Sequence, residues 1–233
     1  MAWIAARGDD AVWISRWPDD ALRKRAVELD RIRQHRGIGG MPLFGVPCAV
    51  KDNIDVAGLA TTAGCPAFRY WPDRNASCVQ RLVDAGAIVV GKTNMDQFAT
   101  GLTGTRSPYG AARSVFGGGL IAGGSSSGSA VAVAAGLVSF ALGTDTAGSG
   151  RVPVAMNGIV GWTTFTVDEI AEEPVQRNMV LGRFTQFVNL LDLAAITVPA
   201  GQTSDGRPAS VTLIGPAFCE PLLLSVATRL TDP

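Results

Sequence analysis

The stretch Leu43-Phe44-Gly45-Val46-Pro47-Cys48-Ala49-Val50-Lys51 is a run of mostly apolar residues that ends at a lysine. Short apolar runs bounded by turn residues are typical of strands buried inside a sheet. Residues 37–42, which precede the run, are rich in glycine and predict a loop. We therefore predict a buried strand over residues 43–50 that delivers Lys51 at its end.

Helical and strand patterns alternate on both sides of this strand. An amphipathic helix is predicted over 19–35, with Asp19 or Asp20 as its cap and Leu22, Ala26, Leu29 and Ile32 on its buried face. Further helices are predicted over 76–85, over 94–101 with Asn94 as cap and Gln97 at the capping-box position, and over 129–135. Strands are predicted over 87–90, 140–142, 190–198 and 209–214, with a turn over 199–208. This alternation indicates an α/β fold in which helices cover a sheet.

The composition indicates a globular protein with no global charge. Hydrophobic residues make up 47% of the 233 residues, and 20 basic residues balance 20 acidic ones. No net field therefore favours nucleic acid or an anionic membrane. The start of the chain lacks the apolar run of a secretory signal, and residues 130–142 are too short to span a bilayer. We expect a soluble cytoplasmic protein.

Histidine and cysteine give little support to a metal site. His35 is the one histidine and stands in a charged stretch, which predicts a solvated surface position rather than a zinc ligand or the base of a triad. Four cysteines, Cys48, Cys65, Cys78 and Cys219, are widely spaced without a Cys-x-x-Cys pattern. Cys48 and Cys219 stand among apolar residues and are expected to be buried thiols. We expect no metal and no cofactor.

One motif matches a nucleotide-binding pattern by letter only. Residues 86–93 read Gly-Ala-Ile-Val-Val-Gly-Lys-Thr, which fits the P-loop pattern G-x-x-x-x-G-K-[ST]. The middle residues are strong strand formers, and a strand uses its N–H groups for its neighbours rather than for phosphate. We therefore reject nucleotide binding and expect Lys92 to stand at a strand end near the site.

Two glycine-rich segments carry the serines that could perform chemistry. The first reads Gly123-Gly124-Ser125-Ser126-Ser127-Gly128-Ser129, and the second reads Gly143-Thr144-Asp145-Thr146-Ala147-Gly148-Ser149-Gly150-Arg151. A serine nucleophile needs a base, and a lysine can serve when burial lowers its pKa far enough to make it neutral. Lys51 is placed for such burial. The alternative is a surface Lys51 paired with Asp52 or Asp55, with both serine loops acting as turns or helix caps.

Together these segments resemble the amidase signature family, and within it the allophanate hydrolases. The resemblance covers about residues 41–161 and 166–216, and includes residues 91–101, which are similar to the segment that borders the family's substrate pocket. It implies a mixed β-sheet with helices on both faces, abbreviated in this chain, and a single amidase-signature domain over residues 1–233. It also implies hydrolysis of allophanate (urea-1-carboxylate) with release of ammonia, as in urea degradation. Further implications are a homodimer and a functional link to a biotin-dependent urea carboxylase.

The resemblance assigns roles residue by residue. Ser149 would be the nucleophile, Ser125 the bridging serine in a cis-peptide setting, and Lys51 the base. The backbone N–H groups of Thr146, Ala147, Gly148 and Ser149 would form the oxyanion hole. The residues expected to border the substrate are Gly101, Thr103 and Ser126.

The chain also departs from the family pattern. After Gly161, the sequence continues directly into a stretch similar to a much later part of the family, which indicates an internal deletion near residues 161–165. The N-terminus also begins late relative to the family. Two alternatives to allophanate hydrolysis therefore stay open: another amidase of the family (biuret-type, aliphatic or tRNA-dependent), or a shortened remnant without activity.

Overall fold

The structure is a computed structural model that describes residues 2–117, 119–158, 171–173, 175–176, 193–202, 208–216 and 219–231. The internal deletion predicted near residues 161–165 lies outside these residues. The described strands are β1 (Trp13–Arg16), β2 (Pro47–Lys51), β3 (Ile88–Thr93), β4 (Phe140–Leu142), β5 (Leu193–Gln202) and β6 (Pro208–Pro216). The described helices are α1 (Ala2–Arg7), α2 (Asp19–Arg36), α3 (Ser77–Asp84), α4 (Ser127–Ala134), α5 (Arg151–Met156) and α6 (Glu220–Thr231), with short 3₁₀ turns at Pro66–Phe68 and Gln97–Ala99.

A mixed sheet carries Lys51 at the end of an interior strand, β2. Its strand order is β1-β3-β2-β4, with β1 antiparallel to β3 and β2 parallel to both β3 and β4. The predicted strand over 43–50 is confirmed as β2, although it begins at Pro47. Residues 43–46 form turns instead, and Gly45 adopts a φ of +72° that a strand does not allow.

Apolar side chains of β2 alternate between two cores, one on each face of the sheet. Cys48 and Val50 pack with Val79 of α3, whereas Ala49 packs with Val131 of α4. This alternation follows from the two-residue period of a strand. The expected sheet with helices on both faces is therefore confirmed.

Antiparallel strands β5 and β6 form a separate hairpin, and α6 packs against it. The predicted strands over 190–198 and 209–214 correspond to them, but the pairing runs on to Gln202 and Pro208. All of the predicted turn over 199–208 that the structure describes is therefore strand, and residues 203–207 lie outside the described part. Among the described residues, no helix is both long enough and apolar enough to cross a membrane.

Several local predictions at the helices need correction. The predicted helix over 94–101 is reduced to the 3₁₀ turn Gln97–Ala99, because Phe98 and Ala99 have positive φ angles of 50° and 58°. The Asn94 side chain caps no helix but donates to the Ala11 and Gly110 carbonyls at 2.8 and 2.9 Å. Helix α2 has Pro18 at its cap position without a side-chain cap, and Ala26 on its expected buried face is exposed.

The predicted histidine, cysteine and P-loop positions can also be compared with the structure. His35 is exposed, Cys48 is buried and Cys219 is half-buried. Val89 and Val90, in the middle of the P-loop-like motif, belong to β3 and are buried. The strand therefore confirms that this motif does not form a phosphate-binding loop.

Candidate active site

Lys51 ends strand β2 and is completely buried, with 0% of its surface exposed. Its Nζ lies 2.6 Å from Ser125 Oγ and 2.7 Å from Thr144 Oγ1, and 3.5 Å from the Thr144 carbonyl oxygen. The alternative of a surface lysine paired with Asp52 or Asp55 is wrong. Asp52 lies 3.3 Å from Lys92 Nζ instead, and Asp55 accepts hydrogen bonds from Thr61 and Tyr70.

Burial changes the protonation of Lys51. Loss of solvent lowers its pKa from an ordinary 10.5 to about 7, and the negative charges of Asp96 and Asp145 partly oppose this decrease. A group whose pKa equals the pH is half deprotonated. Near neutral pH, a large share of Lys51 is therefore an uncharged amine that can accept a proton.

Ser125 stands on the turn that leads into α4 and is also fully buried. The Gly124–Ser125 peptide bond is cis. The Ser125 carbonyl accepts the Asp96 N–H at 3.1 Å, and the Gly124 N–H donates to the Leu102 carbonyl at 2.8 Å. These backbone bonds fix the turn that presents the Ser125 hydroxyl to Lys51.

Ser149 lies in the loop before α5 and is 5% exposed. Its carbonyl accepts the Ser126 N–H at 3.0 Å, which ties the two serine segments together through their backbones. Within the described residues, the Lys51 and Ser125 side chains are joined directly by a hydrogen bond. Ser149 is tied by its backbone to Ser126, the residue after Ser125, and among the described residues no hydrogen bond joins the Ser149 and Ser125 hydroxyls.

The Asp145 carboxylate organises the loop around Ser149. It accepts the N–H groups of Gly148, Gly150 and Arg151 at 2.8, 3.1 and 3.0 Å, and forms a two-pronged ion pair with the Arg151 guanidinium. Burial alone would raise the pKa of Asp145, but the hydrogen bonds and charge of Arg151 outweigh it and hold that pKa below the ordinary value. The Gly148 N–H, one of the donors predicted for the oxyanion hole, is one of the three that Asp145 accepts.

The residues expected to border the substrate occupy different environments. The Ser126 Oγ donates to the Thr144 carbonyl at 3.1 Å and lines a cavity of about 370 Å³ together with Gly143 and Asp145. Thr103 is buried, and its hydroxyl pairs with that of Thr105 at 2.8 Å. Gly101 has a φ of +122° and lies beside the side chains of Asp96 and Arg106.

Two polar residues of the site escaped the sequence analysis. Thr144 touches Lys51 because β4, which precedes it, pairs in parallel with β2. Asp96 is fully buried and accepts the N–H groups of Gly104 and Arg106, and its burial raises its pKa despite these bonds. A polar residue just after a strand beside β2 was a usable signal for Thr144. The position of Asp96 follows from no local pattern.

A second buried lysine borders the site. Lys92 Nζ lies 3.0 Å from Thr61 Oγ1 and 3.3 Å from Asp52 Oδ1, while Asp52 Oδ2 accepts the Thr62 N–H at 2.9 Å. Burial lowers the pKa of Lys92, although the Asp52 charge opposes this. Lys92, which the sequence predicts to stand at a strand end near the site, is therefore buried and paired with Asp52, the neighbour of Lys51. In the described part of the chain, no group of three or more His, Cys, Asp or Glu side chains could hold a metal ion.

Comparison with known proteins places this chain in a family. The sequence profile described as Amidase matches residues 5–165. The urea amidolyase of Saccharomyces cerevisiae is 63% identical over 152 residues, which are 65% of this chain and 8% of that protein. The mandelamide hydrolase of Pseudomonas putida is 53% identical over 148 residues, which are 61% of this chain and 29% of that enzyme.

Solved structures extend the similarity to the whole described fold. The allophanate hydrolase of Kluyveromyces lactis superimposes with a TM-score of 0.88 at 28% identity, covering 96% of this chain and 67% of that one. The chain spans less than a third of the length of the sequence relatives given above. With the profile matching more than half of its residues, this chain belongs to the amidase family.

Proposed function

We propose that the chain hydrolyses amide C–N bonds with Ser149 as nucleophile, Ser125 as proton relay and Lys51 as base. The observation that carries the proposal is a fully buried lysine, with a pKa near 7, whose Nζ lies 2.6 Å from the Ser125 hydroxyl. A neutral amine at this distance can take a proton from a serine.

The reaction can be written so that each proton is accounted for. Ser149 Oγ attacks the amide carbonyl carbon while its proton passes to Ser125 Oγ, and the Ser125 proton passes to Lys51 Nζ. The tetrahedral intermediate then collapses, the C–N bond breaks, and Lys51 returns the proton through Ser125 to the leaving nitrogen. Water attacks the resulting acyl-serine by the same path and restores all three groups.

The oxyanion of the intermediate needs preorganised donors. The proposed donors are the loop N–H groups of Thr146, Ala147, Gly148 and Ser149, and the Gly148 N–H would have to turn from Asp145 to the substrate oxygen to take part. Asp145 and Arg151 would keep this loop in shape while charge develops on the substrate oxygen.

Allophanate is the substrate that the comparisons favour. Support comes from the identity to urea amidolyase and from the superposition on an allophanate hydrolase. The products would be ammonia and a carboxylated carbamate. The same likeness favours a cytoplasmic enzyme that works with a biotin-dependent urea carboxylase, and a homodimer belongs to the same proposal.

A different amide is the second candidate. Mandelamide hydrolase and a glutamyl-tRNA(Gln) amidotransferase chain of Symbiobacterium thermophilum, 48% identical over 143 residues, also match this chain. Their similarity covers 61% of this chain and does not identify which amide is bound. The shortened, inactive remnant is the third candidate.

Labelling with a fluorophosphonate probe tests the nucleophile. Mass spectrometry is expected to find the adduct on Ser149 in the parent chain and no adduct in Ser149→Ala. Ser77→Ala, at the exposed first residue of α3, is the matched control and should label like the parent. Labelling that persists in Ser149→Ala would refute the assignment.

Ammonia release from a substrate panel tests the reaction. Allophanate, biuret, mandelamide and a simple aliphatic amide are compared in the parent and in Ser149→Ala. Release from allophanate above the other amides supports the first candidate, and release from another amide supports the second. Labelling and release both at the level of Ser149→Ala would indicate the remnant.

A further inference from the structure

The Asn53 side chain contacts the same Thr144 hydroxyl as Lys51 does. Asn53 lies in the turn after β2, and its Nδ2 is 3.1 Å from Thr144 Oγ1. Its Oδ1 is buried and has no hydrogen-bond partner among the residues that the structure describes. A buried amide oxygen without a partner is costly, so its environment calls for an explanation.

The direction of the Lys51 lone pair decides whether Lys51 can act as a base. A neutral amine has two N–H donors and one lone pair. In the described residues, the oxygens around Lys51 Nζ are Ser125 Oγ, Thr144 Oγ1 and the Thr144 carbonyl oxygen. The lone pair faces the Ser125 hydroxyl only when both N–H groups go to the two oxygens of Thr144.

That arrangement requires the Thr144 hydroxyl to accept from Lys51 rather than donate to it. The hydroxyl hydrogen must then go to another acceptor. If it pointed at Lys51 instead, it would occupy the lone pair, and Lys51 could only donate to Ser125. A second acceptor for the Thr144 hydroxyl hydrogen therefore decides which way protons can move between Ser125 and Lys51.

We infer that Asn53 is a positioning residue which, after a half-turn of its side-chain amide, accepts the Thr144 hydroxyl hydrogen on Oδ1 and so aims the Lys51 lone pair at Ser125. The two ends of an amide have the same shape and are told apart by their hydrogen bonds. The half-turn brings the unpartnered oxygen to the hydroxyl 3.1 Å away. The inference rests on the proposed role of Lys51 as the base.

The charges around Lys51 stay the same when a neutral amide turns. Asp96 and Asp145 both act on the Lys51 charge, and Asp52, the neighbour of Lys51, faces Lys92. Asn53 therefore acts through hydrogen-bond direction, whereas these groups act through charge. The two effects can be separated by the choice of substitution.

Asn53→Leu and Asn53→Asp, compared with the parent, test the inference. The measurement is the rate at which the fluorophosphonate probe phosphonylates Ser149, with loss of fluoride, as a function of pH. Asn53→Leu removes the acceptor and is expected to react about tenfold to a hundredfold more slowly at every pH. Asn53→Asp keeps an acceptor but adds a negative charge, so its profile should shift to higher pH and approach the parental rate on the alkaline side. Asn75→Leu, at an asparagine that bonds Ala57 and Gln80, is the control and should keep the parental rate.

A second measurement does not depend on turnover. The chain has three lysines, Lys24, Lys51 and Lys92, so their ε-carbons can be followed by ¹³C NMR during a pH titration. In Asn53→Leu the Thr144 hydroxyl is free to donate to the Lys51 lone pair, so Lys51 should titrate at lower pH than in the parent. In Asn53→Asp it should titrate at higher pH.

The outcomes separate this inference from the proposed function. A parent that does not label would refute the proposed function, and the Lys51 titration would still test Asn53. The inference is overturned if Asn53→Leu shows the parental Lys51 titration. It is also overturned if Asn53→Leu labels like the parent, or if Asn53→Leu and Asn53→Asp are equally slow at all pH values, which would indicate a structural role only. Should Asn53→Leu fail to fold, the labelling rate of Asn53→Asp at alkaline pH decides: a return to the parental rate supports the inference, and a rate that stays low overturns it.

Discussion

Replacing Lys51 by methionine should remove a pH dependence from the stability of the fold. The buried Lys51 amine has a pKa of about 7, whereas in the unfolded chain it returns to its ordinary 10.5. Between these values the unfolded chain binds a proton that the folded chain does not. The free energy of unfolding of the parent therefore falls as the pH is lowered from 10.5 to about 7, and this contribution is constant below that range.

The size of the effect follows from the same two values. The distance from 10.5 to about 7 corresponds to a penalty of about 5 kcal/mol at roughly 1.4 kcal/mol per pH unit. Over an accessible window from about pH 9.5 to about pH 7.5, the stability of Lys51→Met relative to the parent should rise by roughly 2–3 kcal/mol. The hydrogen bonds that methionine cannot make to Ser125 and Thr144 add an offset that varies little with pH.

Urea denaturation of the parent and Lys51→Met at several pH values measures this difference. Lys24→Met is the matched control, because the Lys24 side chain is 81% exposed and should show no such dependence. Equal pH slopes for the parent and Lys51→Met would mean that Lys51 stays charged in the fold. The argument for Lys51 as a base near neutral pH would then fail as well.

Three further substitutions test other parts of the structure. Asp145→Asn removes a carboxylate that holds three loop N–H groups, so phosphonylation of Ser149 by the probe should slow on the order of 10²-fold. The same substitution removes a negative charge that raises the Lys51 pKa, so the pH midpoint of the reaction should move lower, and a midpoint that moves higher would contradict this. Lys92→Met leaves Asp52 buried without its ion-pair partner and should lower the free energy of unfolding, measured by urea denaturation, by about 3–5 kcal/mol. The double variant Lys92→Met/Asp52→Asn should recover part of this loss, and a loss below about 1 kcal/mol in Lys92→Met would refute the pairing. Gly128→Ala places a Cβ 2.6 Å from the Asn94 backbone nitrogen and should lower the free energy of unfolding by about 1–3 kcal/mol. In the control Gly39→Ala the new Cβ faces open space, so the free energy of unfolding should stay within about 0.5 kcal/mol of the parent, and equal urea midpoints for the two variants would contradict the close approach at Gly128.

The elements that sequence reasoning predicts well are those defined by a local pattern. Helix α2 and strand β2 follow from periodicity and apolar runs, and the strand-forming residues of the P-loop-like motif form β3. The family resemblance brought Lys51, Ser125 and Ser149 to notice before any geometry was known. Their roles stay a proposal that the labelling experiments address.

The features that the sequence could not predict depend on contacts between distant segments. Asn94 looks like a helix cap by its neighbours, yet its amide bridges the Ala11 and Gly110 carbonyls, and a propensity argument contains no such contact. Thr144 becomes a neighbour of Lys51 only through the pairing of β2 with β4. The commitment of the Gly148 N–H to Asp145 is likewise visible only once the loop has closed.

Strand pairing also makes the proposed base a reporter of correct folding. Val50 stands opposite Leu142 in the β2–β4 pair, and Lys51 and Thr144 follow shortly after these two residues along the chain. A slip of one residue would move one strand about 3.3 Å along the other and turn its side chains to the opposite face. The 2.7 Å contact between Lys51 Nζ and Thr144 Oγ1 does not survive such a displacement. Molecules that fold with a misaligned sheet would therefore not react with the fluorophosphonate probe. The labelled fraction of a sample would then measure the share of molecules whose strands are correctly aligned.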